Sequence, residues 1–269
     1  MRPGWVAGGA AGLTLAIVLG AGVAATGTPP VTFSDQIVRI FQAHCQTCHR
    51  PGEIAPFSLT TYADAYAQRR KIRHATQTRK MPPWKPVPGF GDFLEPRRLS
   101  EAEIALIDRW VAAGAPEGDP GTLPPSREFP ETWRLGAPDL VLDTGVDFPV
   151  TTREHDLYRC FTIPTSFAED RWVSAVEYIP GNRRVVHHLL TYVDTSGRSA
   201  VLDDAEPGPG YTCFGGPGFL PTGGLGGWAP GAGPHVMPDG VGMLLPAGAR
   251  VVVQVHYLNQ SSTSTALPG

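Results

Sequence analysis

Val251-Val252-Val253-Gln254-Val255-His256-Tyr257 is a run in which every second residue is a large apolar one. Val251, Val253, Val255 and Tyr257 share one face of an extended chain, and Val252, Gln254 and His256 share the other, more polar face. The stretch Val185-Val186-His187-His188-Leu189-Leu190-Thr191-Tyr192-Val193 is similarly rich in β-branched and aromatic residues. Both read as strands. Further Val/Ile/Tyr/Phe/Thr runs at 139–143, 158–163 and 172–179 are separated by Gly, Pro, Asp and Asn turns. Residues 139–269 therefore predict an all-β region. Within it, 206–249 is very rich in Gly and Pro and predicts long loops with one or two short strands.

Upstream the pattern changes. Ser34 precedes the apolar-periodic Ile37-Val38-Ile40-Phe41, and Thr60-Thr61 precede a segment running to about Lys80. Ser100 and Glu103 have the spacing of a capping box for a helix through Ala113, which Gly114 and Pro116 stop. Residues 31–118 thus predict a small all-α domain. Pro116, Pro120, Pro124, Pro125, Pro130 and Pro138 mark a Pro-rich connector, with 119–138 as linker. There is no internal repeat. The expectation is a multidomain chain, all-α then all-β.

Composition narrows the function. The chain has 269 residues, 42% hydrophobic and 17% charged, with a net charge of −3. That balance argues against a nucleic-acid partner, which draws on clustered basic charge. Gly and Pro number 32 and 28, short of the roughly 25–30% combined share at which disorder is expected. Arg2, the apolar run Trp5 to Ala25 and the small residues Val23-Ala24-Ala25 read as a signal peptide over 1–25, with an uncleaved N-terminal anchor as the alternative. Either places the remainder in the periplasm or cell envelope, an oxidising compartment.

Cys45-Gln46-Thr47-Cys48-His49 is a C-x-x-C-H motif. Two thiols one turn apart can add to the two vinyl groups of a haem, and the adjacent His falls under the iron. A zinc site would want a second ligand pair, and 31–118 has no other cysteine. Met81, in Lys80-Met81-Pro82-Pro83-Trp84, is the candidate sixth ligand. His74 competes with it but belongs to the basic segment Arg69–Lys80, which reads as a solvated helix face. His44 and Trp110 read as packing near the haem.

Neighbours on a strand point to opposite faces. His187 and His188 can share one metal only if the strand ends or bulges there, or if they use different ring nitrogens. His256, outside the apolar stripe of its strand, is a possible third ligand, since neutral imidazoles suit copper, zinc or iron. His155, in a polar turn, and His235 with Met237, in a Gly/Pro loop, read as ordinary loop residues.

Two resemblances follow. The C-x-x-C-H after a first helix, the Met-Pro downstream and the closing helix with Trp110-Val111 resemble class I cytochrome c domains, which implies one-electron transfer by covalent haem c. Tyr158-Arg159-Cys160, Val186-His187-His188-Leu189-Leu190, Pro238-Asp239-Gly240-Val241-Gly242 and Val253-Gln254-Val255-His256-Tyr257 resemble, in that order, the N-terminal domain of the copper type II, ascorbate-dependent monooxygenases. This is the group of peptidylglycine α-hydroxylating and dopamine β-monooxygenases. The resemblance implies an antiparallel jelly-roll-type sandwich and a copper held by His187, His188 and His256. It also implies a disulfide between Cys160 and Cys213.

The family's second sandwich carries a His-x-His and a Met that hold the O2-activating copper. No histidine or methionine follows His256 here, and 139–269 is long enough for one sandwich only. No catalytic residue of the hydroxylation can therefore be placed. The sequence reading is an exported haem–copper oxidoreductase, the incomplete part of a monooxygenase acting on an organic C–H bond with O2. Its electrons would come from a redox protein or an ascorbate-like reductant. The alternative is a non-catalytic haem carrier with a copper-binding or docking sandwich.

Overall fold

In a computed structural model of the chain, which describes residues 1, 3–4, 29–93, 96–130, 132–150, 156–258 and 267–268, the two longest helices of the first segment start at side-chain caps. A π-helical turn, Phe33–Ile37, runs into α1, Val38–His44. It opens after Thr32, not at Ser34, which is buried inside the turn. Helix α2, Tyr62–Gln77, begins at Thr61, whose hydroxyl accepts the Asp64 N–H at 3.2 Å. Helix α3, Glu101–Ala112, has the full capping box: the Glu103 N–H donates to Ser100 Oγ and the Ser100 N–H to the Glu103 carboxylate. Each arm satisfies an N–H that a helix start leaves orphaned. Gly114, at φ +89°, turns the chain out of α3. Phe33, Ile37, Phe41, Ile107 and Trp110 form the buried centre of these elements. Trp110 donates its indole N–H to the Pro116 carbonyl at 3.0 Å and packs against Phe33 and Phe41.

The strands, in chain order, are β1 Pro149–Val150, β2 Leu157–Pro164, β3 Arg171–Val173, β4 Ala175–Val176, β5 Val186–Asp194, β6 Tyr211–Thr212, β7 Gly223–Trp228, β8 His235–Val236, β9 Met243–Leu245, β10 Arg250–Tyr257 and β11 Leu267–Pro268. A fourth helix, α4 (Arg198–Asp204), follows β5. Five strands make the main sheet in the order β6-β2-β10-β5-β7, paired antiparallel. Three two-stranded ribbons, β1-β11, β3-β9 and β4-β8, accompany it. The central strand β10 is buried on both faces. Val251, Val253, Val255 and Tyr257 enter two apolar clusters, while Val252 packs with Cys160, Cys213 and Tyr211.

This architecture corrects the expected fold class. The expectation was a small all-α cytochrome c domain followed by an all-β jelly-roll-type sandwich. Contacts instead gather Val31–Gly269 into one compact unit, with Met1–Pro30 forming the other, so the helices are not a domain of their own. Nor is the second half all-β, since α4 lies inside it, or two facing sheets, since one five-stranded sheet dominates. The physical reason is contact across the segments. The Arg97 guanidinium donates to the Pro230 carbonyl at 3.2 Å, and Arg183 lies 3.8 Å from the buried Glu53 carboxylate. The Pro-rich stretch is tied at both ends. Gln42 on α1 donates to the Pro125 carbonyl at 2.8 Å, and the Arg134 N–H donates to the Glu177 carboxylate at 2.8 Å. The expected signal segment Trp5–Ala25 and His155 lie outside the described residues. No helix among the described residues is long and apolar enough to cross a membrane.

Four strands, β6 to β9, fall within 206–249, where long loops with one or two short strands were expected; the longest is β7, Gly223-Gly224-Leu225-Gly226-Gly227-Trp228. It needs its glycines. A Cβ at Gly227 would lie 2.5 Å from the Leu189 carbonyl oxygen, and one at Gly224 2.8 Å from that of Thr191. Glycine is what lets this edge approach β5.

Cys160 on β2 and Cys213 just after β6 form a disulfide, with the residues 53 apart in sequence. It closes the edge of the main sheet. Closing a loop of that length withdraws about 4 kcal/mol of chain entropy from the unfolded state. Replacing both cysteines by serine is therefore expected to lower the unfolding free energy in urea by about 4 kcal/mol and to raise the m-value as the unfolded chain expands, as followed by circular dichroism.

Candidate metal centre

The site is built on a fault in the β5–β10 ladder. From Arg250 to His256 the two strands pair residue for residue, ending with His256 opposite His188. The next pair is Tyr257 opposite Val186, so His187 has no partner. One extra residue on one strand is a β-bulge, which turns the local side chains off strict alternation. This is one of the ways foreseen for His187 and His188 to reach one point. The other, different ring nitrogens, is not used.

All three histidines present Nδ1. His187 Nδ1 lies 3.1 Å from His188 Nδ1 and 3.1 Å from His256 Nδ1, and the last pair is 3.3 Å apart. The centre of a triangle with such edges is about 1.8 Å from each corner (the edge divided by √3). Metal–imidazole bonds are about 2.0–2.1 Å. The three nitrogens therefore surround a point at close to bonding distance, with room for the ion slightly above their plane. Among the described residues this is the one group of His, Cys, Asp or Glu arranged to hold a metal ion.

His256 is 5% exposed. Its Nε2 bonds Asp156 Oδ1 at 2.7 Å, and its ring lies parallel to Tyr158 at 4.2 Å. Tyr158 is its cross-strand partner on β2. Phe214, next to the disulfide, stands edge-on to Tyr158 at 5.0 Å. Gln254, on the same face of β10, donates its amide to the Cys213 carbonyl at 2.5 Å. His187 is the exposed member of the trio, so the site opens to solvent on that side.

Burial pushes the pKa of His187 below the ordinary imidazole value, helped by His256 and opposed by Asp156. Burial, then His256 and His187, do the same for His188. A neutral imidazole is the form that binds metal. In the metal-free protein, both C2–H resonances should titrate with midpoints below 6.5. The unfolded chain then binds protons that the folded one refuses. The stability contributed is full above pH 6.5 and is lost as pH falls through the lowered values. In His256→Ala, both midpoints should rise. A wild-type midpoint at or above 6.5 would contradict the assignment.

The C-x-x-C-H motif is the second constellation. Cys45 caps α1, and the Cys48 and His49 N–H groups both return to the Cys45 carbonyl, at 3.1 and 2.9 Å. The turn brings Cys45, Cys48 and His49 together. His49 Nδ1 bonds the Phe57 carbonyl at 3.0 Å, so it carries the proton and leaves Nε2 a free donor atom. Both thiols are free. Burial raises their pKa, that of Cys45 to about 12. A C-x-x-C oxidoreductase needs a depressed thiol pKa, so this environment is the opposite of a thioredoxin-like one.

Met81 follows α2, is 44% exposed, and belongs to none of the buried clusters among the described residues. His74 is exposed on α2, as expected of a solvated face. His44 bonds Glu103 at 2.9 Å, and Trp110 serves the helical core. His235, on β8, and Met237 sit on or beside the β4–β8 ribbon.

Sequence reasoning missed Asp156 and Tyr158. Their signal is register: once His256 is set opposite Tyr158, Asp156 falls at the same end of the sheet. It also missed Gly231. A Cβ there would lie 3.7 Å from Cys48 Sγ and 2.7 Å from an Arg97 nitrogen, so the loop after β7 rests on the C-x-x-C-H turn. No protein-family model matches the chain, and no curated protein matches it.

Proposed function

We propose that the chain is an exported haem c and copper oxidoreductase, with copper on His187, His188 and His256 and haem on Cys45, Cys48 and His49. The observation that carries this reading is the convergence of three Nδ1 atoms on one point at a site open to solvent. An all-imidazole set with few ligands suits a copper that cycles between Cu(I) and Cu(II), while the haem iron supplies one-electron transfer.

The donor set at the helical turn supports the haem. Two free thiols lie one turn apart, and His49 offers an unencumbered Nε2. Met81, Val87, Phe90 and Phe93 are exposed along the segment after α2, and a porphyrin would cover apolar surface of this kind. Met81 is the proposed second axial ligand.

A relay from haem to copper is the proposed role of the pairing. The contacts of Gly231, Arg97 and Glu53 hold the loop after β7 and the residues before β5 against the C-x-x-C-H turn. In the monooxygenase that the sequence resembles, such electrons serve insertion of one oxygen atom of O2 into a C–H bond. No residue of this chain is assigned to that step.

Expression with c-type haem maturation should give protein whose haem survives denaturing electrophoresis, and the paired Cys45→Ala and Cys48→Ala variant should lose it. Copper should bind one per chain by elemental analysis, with His187→Ala reduced to background. In copper-loaded protein with the haem reduced anaerobically, the visible bands should reoxidise faster than in His187→Ala. Equal rates would contradict the relay.

A further inference from the structure

Behind the three histidines, one carboxylate has no place among the proposed ligands. Asp156 lies just before β2, and its Oδ1 bonds His256 Nε2 at 2.7 Å. The Nε2 edge of an imidazole faces away from its Nδ1 edge. Asp156 is therefore on the far side of His256 from the point on which the Nδ1 atoms converge, and it cannot be a ligand to the same ion. The carboxylate accepts from a proton-bearing nitrogen, so in its neutral, metal-binding form His256 is the Nε2–H tautomer. That leaves Nδ1 as a bare lone pair, with its neighbouring nitrogens 3.1 and 3.3 Å away. Tyr158, stacked on the ring at an interplanar angle of 4°, fixes the ring plane while Asp156 fixes its rotation. His187 and His188 meet it and each other through Nδ1, and His256 is the buried member of the three.

We propose that Asp156 is a positioning residue: it locks His256 as the Nε2–H tautomer, aims Nδ1 into the site and, by its charge, favours the oxidised over the reduced metal. The second half rests on the copper reading above. A carboxylate on the distal nitrogen makes an imidazole a stronger donor, and negative charge nearby stabilises a Cu(II) ion more than a Cu(I) ion. Asp156 is 68% exposed, so solvent weakens the charge effect but not the hydrogen bond's direction.

Two substitutions separate these roles. Asp156→Asn keeps an oxygen that can accept from Nε2–H and removes the charge. Asp156→Ala removes both, and Asp156→Glu is the rescue. In metal-free protein, nitrogen chemical shifts should report Nε2–H for wild-type His256 and a mixture of tautomers in Asp156→Ala. Cu(II) affinity, by competition with a chelator, should fall about 10- to 100-fold in Asp156→Ala. In Asp156→Asn, Cu(II) affinity should fall more than anaerobic Cu(I) affinity, and Asp156→Glu should restore the ratio. A wild-type His256 found as the Nδ1–H tautomer overturns the inference. So does an Asp156→Ala protein with unchanged Cu(II)-to-Cu(I) ratio and only a lower melting temperature, the mark of a purely structural bond. If wild-type protein takes up no copper while His256 is the Nε2–H tautomer, the copper reading fails, and the locking of His256 by Asp156 still holds.

Discussion

One missing rung in a β ladder decides what this protein can do. Were β5 and β10 paired without interruption, His187 and His188 would point to opposite faces of the sheet. Because His187 has no partner across the ladder, its ring joins those of His188 and His256. The rest of the sheet serves to hold that fault in place. Strand β10 is buried on both faces, and its pairing with β2 and β5 is continuous for seven residues before the bulge. A bulge at the end of so firm a ladder is a defined geometry, because the ladder cannot slip without exposing the valines of β10.

The polar face of β10 is layered. Val252 packs on the disulfide, Gln254 is tied to Cys213, and His256 is held by Tyr158 and Asp156. Each step along the strand is fixed by something covalent or hydrogen-bonded on β2 or just beyond β6. This is how a buried imidazole is held correctly turned without a metal present. At the other constellation the same economy appears on a single turn, where the Phe57 carbonyl sets the tautomer of His49.

Much of this was legible in the sequence. The alternation of residues 251–257 gave β10, and its odd member, His256, stood out for that reason. The cap signals at Thr61 and Ser100 located α2 and α3, since they act within one turn. What was not legible was non-local. The glycines of β7 show no alternation, and their use appears only against the carbonyls of β5. The bulge at His187 depends on register with a strand about 70 residues away. Asp156 looks like an ordinary turn residue until β2 is laid beside β10. The expected separation into an all-α domain and an all-β sandwich failed for a related reason. A Pro-rich composition does not reveal that Gln42 and Glu177 tie the stretch down at both ends, or that Arg97 and Glu53 reach across to the β region.

The central claim is that His187, His188 and His256 form a single metal centre through their Nδ1 atoms. X-ray absorption of protein loaded with one equivalent of copper tests it most directly. The account predicts three imidazole ligands per copper, falling to two in His187→Ala. A copper with fewer than three imidazoles in the wild type, or a spectrum unchanged in His187→Ala, would contradict it.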